Sequence, residues 1–158
     1  MPLSKSADKV QAAIQDAGMQ LVVVELPDST HTAPEAAQAI GCLVGQIAKS
    51  IVFQTVTIQR PILVIASGSN RVNEAVIAEH IGEQITKANA DFVQQRTGFV
   101  IGGVPPVGHN ETLETFIDQD LLQYQEIWAA AGTPHAVFRL TPGDLLRLTS
   151  GEVLKVTG

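Results

Sequence analysis

The chain has 158 residues, of which 45% are apolar, 4% aromatic and 16% charged, and its formal net charge is −6. This length and aliphatic composition predict one globular domain over residues 1–158 that buries its own core. The negative charge argues against the broad basic surface of a protein that coats DNA, but it leaves a small RNA contact open. No stretch approaches the roughly 18 apolar residues of a membrane span and no apolar signal region is present, so we expect a soluble cytoplasmic protein.

The first half of the chain mixes short helices with apolar strands. Capping residues, terminating glycines and apolar spacing predict helices from Ser4 or Ser6 to Gly18 and from Thr32 to Gly41, and strands over 21–26, 48–58 and 61–67. The last two runs are rich in β-branched residues and are separated only by Gln59, Arg60 and Pro61. We therefore expect them to be adjacent strands of one sheet.

The second half continues without a regular alternation of strands and helices. The same signals predict helices over 72–82, from Asn89 to Gly98 and from Thr141 onward, short strands and connections over 115–122, 126–132 and 136–140, and an edge strand over 150–156. There is no internal repeat and no linker-like segment. The expected fold class is therefore α/β of the α+β-like kind, with a mixed sheet surrounded by helices.

Common catalytic and metal-binding patterns are not present. The four histidines never stand three or four residues apart, and the single Cys42 adds no thiolate cluster, so we expect no metal and no cofactor. Cys42 lies in the apolar segment GCLVG with no adjacent base, which is typical of a buried structural cysteine. The Ser67–Gly68–Ser69 turn lacks the G-x-S-x-G pattern of a nucleophile elbow, although such strand-end loops commonly line sites.

Two features stand out from this background. The segment TGFVIGGVPPVGH, residues 97–109, combines glycines that permit close approach of a ligand with prolines that fix the loop. It suits either backbone N–H groups aimed at a ligand oxygen or a merely rigid turn. Lys49 lies in the apolar run AKSIVF, where its ammonium must reach solvent, a partner or a ligand phosphate. For each feature, a binding role and a purely structural role both stay open.

These two features and the surrounding text resemble the YbaK/ProX family, whose members are related to the editing insertion of bacterial prolyl-tRNA synthetase. The similarity covers roughly residues 10–156 in collinear order, through EAAQAIGCLVGQIAKSIVF, PILVIASGSNRVN, TGFVIGGVPPVGH and EIWAAAGTPHAVFRLTPGDLLRLTSGEV. It implies a strongly curved, partly barrel-like mixed sheet. It also implies hydrolysis of the ester that joins a wrong amino acid to the 3′-terminal adenosine of tRNA, acting in trans on mischarged proline tRNA.

The resemblance also assigns roles to residues. Lys49 would hold the terminal phosphate and ribose, while N–H groups of Gly102, Gly103 and Val104 would stabilise the oxyanion of the ester carbonyl. Water would then attack without a side-chain nucleophile, with possible help from the terminal ribose hydroxyl of the substrate. We expect the remaining substrate contacts from residues of the same motifs: Ser50, Ser67, Gly68, Pro106, Gly108 and Gly132.

The partner expected from the resemblance is the acceptor 3′ end of a mischarged aminoacyl-tRNA. Arg71, Lys87 or Arg96 could add charge beside Lys49, and prolyl-tRNA synthetase or an elongation factor could add further contacts. Ser50 stands where alanine-specific members carry asparagine, and Trp128 to Ala131 replaces a strand with a selective serine or histidine. Esters of alanine, serine, threonine and cysteine therefore all remain candidate substrates, because a pocket that selects by size separates them weakly.

Two other functions are compatible with the sequence. The first is a non-catalytic module that binds an aminoacyl-adenosine group, a tRNA end or a synthetase partner, because no nucleophile is available to reveal lost activity. The second is a hydrolase of other small activated esters. Turnover of aminoacyl-tRNA, compared with binding of a non-hydrolysable analogue and with hydrolysis of free aminoacyl esters, separates the three.

Overall fold

The structure, a computed structural model, describes residues 3–158. It contains five α-helices, which are α1 Lys5–Asp16, α2 Ala33–Ile40, α3 Glu74–Ile81, α4 Ala90–Thr97 and α5 Pro142–Thr149. It contains eight strands, which are β1 Val23–Glu25, β2 Ile47–Thr55, β3 Pro61–Ser67, β4 Ile85–Lys87, β5 Glu114–Asp118, β6 Ile127–Ala130, β7 Ala136–Leu140 and β8 Glu152–Leu154. Short 3-10 helices occupy Val44–Gln46 and Gln119–Gln123.

Side chains at the predicted caps set the helix starts. Ser4, Thr32, Asn89 and Thr141 each accept a hydrogen bond from a backbone N–H in the first turn of the following helix. These bonds satisfy donors that would otherwise lack a partner at a helix N-terminus. The helix positions read from the sequence are therefore confirmed to within two or three residues.

All eight strands belong to one mixed sheet, as expected from the sequence. The strand order is β1-β7-β6-β2-β3-β5-β8, and β4 pairs with the outer half of β2. The pairs β2/β3, β2/β4, β6/β7 and β1/β7 are antiparallel, while β2/β6, β3/β5 and β5/β8 are parallel. The terminal strand β8 lies at an edge, which confirms that prediction.

The sheet is covered by helices on both faces. Along β3, Leu63 and Ile65 join the core that contains α1, α4 and α5, whereas Ile62, Val64 and Ala66 face α3. The two-residue period of a strand produces this division. A third, smaller cluster packs α2 against the start of β2. Strand β3 is buried at every residue because both of its faces are covered.

Two predicted strands end earlier than expected, and one strand was not predicted. Strand β2 ends at Thr55, because residues 56–58 form a turn and the Gln59 that follows them has a φ of 55°. The predicted strand over 115–122 ends at Asp118, whose side chain caps the 3-10 helix Gln119–Gln123. Strand β4 was not predicted: three residues are too few for a period-2 signal, and pairing with β2 decides their conformation.

Candidate functional site

The site lies where one edge of β2 loses its sheet partners. Strand β6 pairs with β2 only at Ile47 and Ala48, and β4 pairs with it only from Phe53 onward. Between them, residues 49–51 have a neighbouring strand on the β3 side alone. Ala88 donates to the Val52 carbonyl on the open side, and backbone direction alternates along a strand, so the N–H and C=O of Ser50 face the same gap.

A cavity of about 560 Å³ occupies this gap. Its apolar lining combines larger side chains, such as Ile47, Ile51, Ile101 and Trp128, with a set of small ones: Ala48, Val52, Ala88, Val93, Val104, Ala129 and Val137. Lys49, Ser50, Gly68, Lys87 and Gly102 line it as well. A small apolar cavity that several polar groups approach is the usual form of a binding site for a small ligand.

A second, larger and more open groove of about 990 Å³ lies beyond Trp128, which lines both spaces. The polar groups of that groove are largely paired with one another. Gln46 donates to the Glu126 carbonyl at 3.1 Å, and Arg139 lies 3.6 Å from Glu126. Asp144 accepts the capping bond of α5. We therefore place the candidate site in the smaller cavity.

Lys49 is held at the cavity by a partly buried polar network. Its Nζ donates to the carbonyl of Asn70 at 2.7 Å. The side-chain amide of Asn70 donates to Asp118 at 2.9 Å and to Asp120 at 2.7 Å. Asp118 is 1% exposed and also accepts the N–H of Ser67 at 3.0 Å. The carboxylates thus fix the turn whose carbonyl receives the lysine.

Positive charge converges on this lysine. Burial lowers the pKa of Lys49, and the charges of Lys87 and Arg71 lower it further, while Asp118 acts in the opposite direction. None of the three cations forms a salt bridge with another of residues 3–158. An anion entering the cavity would therefore meet three cations that no carboxylate of the described chain pairs with directly, although the whole chain is acidic.

The Gly102–Pro106 loop has two backbone N–H groups without an acceptor and one that is hydrogen-bonded. The N–H of Gly103 donates to the Val100 carbonyl at 3.0 Å, and the Gly103 carbonyl accepts from Gly132 at 2.8 Å. The N–H groups of Gly102 and Val104 have no acceptor among residues 3–158. Val104 is only 4% exposed, and a buried N–H without an acceptor is rare because it costs free energy.

Contacts outside the cavity hold the Gly102–Pro106 loop in place. His109 donates from Nε2 to the Pro105 carbonyl at 2.7 Å, and burial lowers the pKa of its imidazole. A Cβ at Gly103 would lie 2.9 Å from the backbone of Thr133, so the loop packs directly on that segment. Together these contacts restrain the loop that carries the two free N–H groups.

His31 packs against the same loop from the cavity side. Gly102 has a φ of +90°, and a Cβ built there would lie 2.0 Å from Nδ1 of His31. Glycine is therefore required twice, for its backbone conformation and for the space that the imidazole fills. His31 is exposed and lines the cavity. Sequence reasoning missed it, because an isolated histidine before a helix cap gives no local signal.

Two buried hydroxyl groups in the cavity lining lack partners. Neither Oγ1 of Thr30 nor Oγ of Ser50 has a hydrogen-bond partner within the described part of the chain. Thr30 is 6% exposed and was not among the predicted residues. Its backbone N–H donates to the Pro134 carbonyl at 2.6 Å, which fixes the residue at the cavity wall. Unpaired buried hydroxyls are expected where a ligand supplies the missing partner.

The structure divides the predicted site residues into two groups. Lys49, Ser50, Gly68, Gly102 and Val104 come together at the cavity, whereas residues of the second group lie behind it: Ser67, Gly103, Pro106, Gly108 and Gly132.

The residues behind the cavity support it. Ser67 donates its hydroxyl to the Gly45 carbonyl at 2.7 Å, and Gly108 packs against Ala13. Because the N–H of Gly103 is already used within the loop, its predicted role as an oxyanion donor is corrected to a structural one.

The additional cations also divide. Lys87 lines the cavity and Arg71 acts on Lys49, but Arg96 pairs with Glu111 at 3.2 Å and lies over Phe92. Cys42 is half-buried, and burial raises its thiol pKa. Within residues 3–158, no three histidine, cysteine or acidic residues are grouped as metal ligands would be. No helix in the same range is both long and apolar enough to cross a bilayer.

Comparison with known proteins identifies the family of the chain. The profile of the aminoacyl-tRNA editing domain family matches residues 27–148. The uncharacterized protein YwhH of Bacillus subtilis (strain 168) is 31% identical over 120 residues, which are 76% of each chain. A proline–tRNA ligase of Limosilactobacillus fermentum is 32% identical over 95 residues, which are 58% of this chain but 17% of the ligase.

A solved structure of a candidate trans-editing enzyme for prolyl tRNA synthetase is 48% identical. It superposes with a TM-score of 0.93, and the match covers 99% of both chains. The family profile and this structural agreement extend over most of the sheet and all of the cavity-lining strands. The chain therefore belongs to the aminoacyl-tRNA editing domain family, as its resemblance to YbaK/ProX proteins indicated.

Proposed function

We propose that this protein is an aminoacyl-tRNA deacylase that removes small, wrongly attached amino acids from tRNA in trans. The observation that carries the proposal is the pair of free N–H groups at Gly102 and Val104, which border the same cavity as Lys49. We further propose that residues 1–158 act as one editing domain, since the strands that border the cavity belong to a single sheet.

The ester carbonyl would accept hydrogen bonds from Gly102 and Val104. These donors are preorganised by the loop, so they would stabilise the oxyanion as charge develops on the carbonyl oxygen. Loss of one such donor typically reduces kcat by 10²–10³-fold, or about 3 to 4 kcal/mol of barrier. Backbone donors, rather than a nucleophilic side chain, therefore supply a large part of the catalysis.

The terminal phosphate and ribose of the tRNA would bind the cationic side of the cavity. Lys49, Lys87 and Arg71 provide the charge, and no carboxylate lines the cavity to compete for them. Binding through contacts with one or two phosphates is weak and salt-sensitive. A protein partner such as prolyl-tRNA synthetase or an elongation factor would add affinity that this short contact lacks.

The aminoacyl group would enter the apolar part of the cavity, between Ala48, Ala129 and Val137. These small side chains accommodate alanyl, seryl, threonyl or cysteinyl groups. A match to a proline–tRNA ligase and a likeness to a candidate trans-editing enzyme for prolyl tRNA synthetase make mischarged proline tRNA the first substrate to test.

The experiment is a panel of proline tRNA charged with alanine, serine, threonine or cysteine, with correctly charged prolyl-tRNA as the control. We expect at least one small amino acid to be released faster than in buffer, and Lys49→Met to reduce that release. If no ester is hydrolysed and a non-hydrolysable aminoacyl-adenosine binds, the protein is a binding module instead. If free aminoacyl esters react equally well, it is a general esterase.

A further inference from the structure

One histidine of the described chain differs from the other three. The ring nitrogens of the others are engaged: His80 with Glu152, His109 with the Pro105 carbonyl at 2.7 Å, and His135 with the Asp28 carbonyl at 3.1 Å. The ring of His31 has no hydrogen-bond partner among residues 3–158. Its nitrogens are therefore free to bind a ligand or a water molecule.

This free imidazole contacts the loop that bears the proposed oxyanion donors. A Cβ at Gly102 would lie 2.0 Å from Nδ1 and 2.5 Å from Cε1 of His31, so the ring edge lies directly on the glycine backbone. The imidazole and the Gly102 backbone therefore contact each other in the lining of one cavity. In the proposed reaction, water attacks the carbonyl carbon whose oxygen the Gly102 N–H binds.

The cavity offers no other suitable base. Its titratable lining residues are His31, Lys49 and Lys87, and no carboxylate or thiol is among them. The lysines are needed as cations to hold a phosphate. Histidine is the side chain that most often accepts and returns a proton in reactions near neutral pH.

We propose that His31 is the general base of the deacylation, an inference that rests on the proposed function. A neutral imidazole nitrogen takes a proton from water while the water oxygen bonds to the ester carbonyl carbon. The negative charge on the carbonyl oxygen is held by Gly102 and Val104. The bond from carbon to the ribose oxygen then breaks, and that oxygen takes the proton from the imidazolium. The products are the free amino acid and tRNA with its terminal hydroxyl restored.

The test compares His31→Ala with the matched control His80→Ala, a histidine on α3 that does not line the cavity. Single-turnover deacylation is measured for each with the best substrate of the proline tRNA panel. General-base catalysis contributes about 10²–10⁴-fold, so His31→Ala should lower kcat by at least 100-fold with an unchanged KM. His80→Ala should keep the wild-type rate.

Two further measurements separate a chemical role from a structural one. Added imidazole should restore activity to His31→Ala but not to Lys49→Met, because only the former lacks a proton acceptor. The affinity for a non-hydrolysable, amide-linked aminoacyl-adenosine should be the same in His31→Ala and wild type.

The inference is overturned if His31→Ala deacylates within threefold of wild type, if its defect is entirely in KM, or if imidazole gives no rescue. In each case the wild-type enzyme still hydrolyses the ester, so the proposed function survives. Absence of hydrolysis by the wild-type protein would instead refute the proposed function itself.

Discussion

Gly102→Ala perturbs the contact between the oxyanion loop and His31. The added methyl group would lie 2.0 Å from Nδ1, whereas ordinary non-bonded contacts need about 3.5 Å, so the ring must move by about 1.5 Å. The backbone φ of +90° also disfavours alanine, at a cost of about 1 to 3 kcal/mol. A misplacement of about 1 Å can reduce a rate by 10²-fold. We therefore expect kcat/KM for deacylation to fall by about 100-fold.

Gly82→Ala is the matched control for the backbone strain. Gly82 has a φ of +76°, but a Cβ there would meet nothing within 4 Å. Both variants should lose a similar amount of stability in thermal unfolding, at about 2 to 4 °C per kcal/mol for a chain of this size. Only Gly102→Ala should lose activity.

The double variant Gly102→Ala/His31→Ala tests the cause of the loss. If the methyl group acts through the imidazole, the double variant should be no slower than His31→Ala alone, because the two substitutions disturb one unit. The reasoning is refuted if Gly102→Ala keeps more than a third of wild-type activity. It is also refuted if the two glycine variants lose activity in parallel with stability.

Three other substitutions probe separate parts of the cavity. Lys49→Met should abolish deacylation, yet its melting temperature at pH 7 should be no lower than that of wild type. Burial lowers the pKa of Lys49, so the charged ammonium opposes folding until the pH rises through that pKa. A melting temperature more than about 4 °C below wild type would contradict this. Thr30→Val should lower the ratio of seryl-tRNA to alanyl-tRNA turnover by about 10-fold, because it removes an unpaired buried hydroxyl that we expect to bond the seryl hydroxyl. An unchanged ratio would exclude Thr30 from specificity. Lys87→Gln should raise KM and reduce its salt dependence, whereas Lys155→Gln, at a residue that does not line the cavity, should change neither.

Local chemistry allowed most helix boundaries to be predicted. Hydroxyl or amide side chains at Ser4, Thr32, Asn89 and Thr141 satisfy free N–H groups whatever the remainder of the chain does. Glycines at the helix C-termini act in the same local way. The strands β2 and β3 were predicted for a similar reason, because their runs of β-branched residues favour a strand locally.

The candidate site could be predicted only in part. Lys49 and the Gly102 loop were identified because a charge in an apolar run and a cluster of glycines and prolines are visible in the sequence. Their separation in the chain, however, gives no hint that they face one cavity. Nor does the sequence show which N–H of the loop is free, since that depends on the hydrogen bond from Gly103 to Val100.

The caps, the strongly apolar strands, the family and the two motifs that carry it are all visible in the amino-acid sequence. Chain packing, in contrast, is what removes the partners of β2 between β6 and β4 and brings His31, Thr30 and the loop together in the resulting gap. The two kinds of feature differ in the range of the interactions that produce them. Capping and strand propensity act over a few residues, whereas a cavity arises from packing between segments distant in sequence, such as His31 against Gly102 and Gly103 against Thr133.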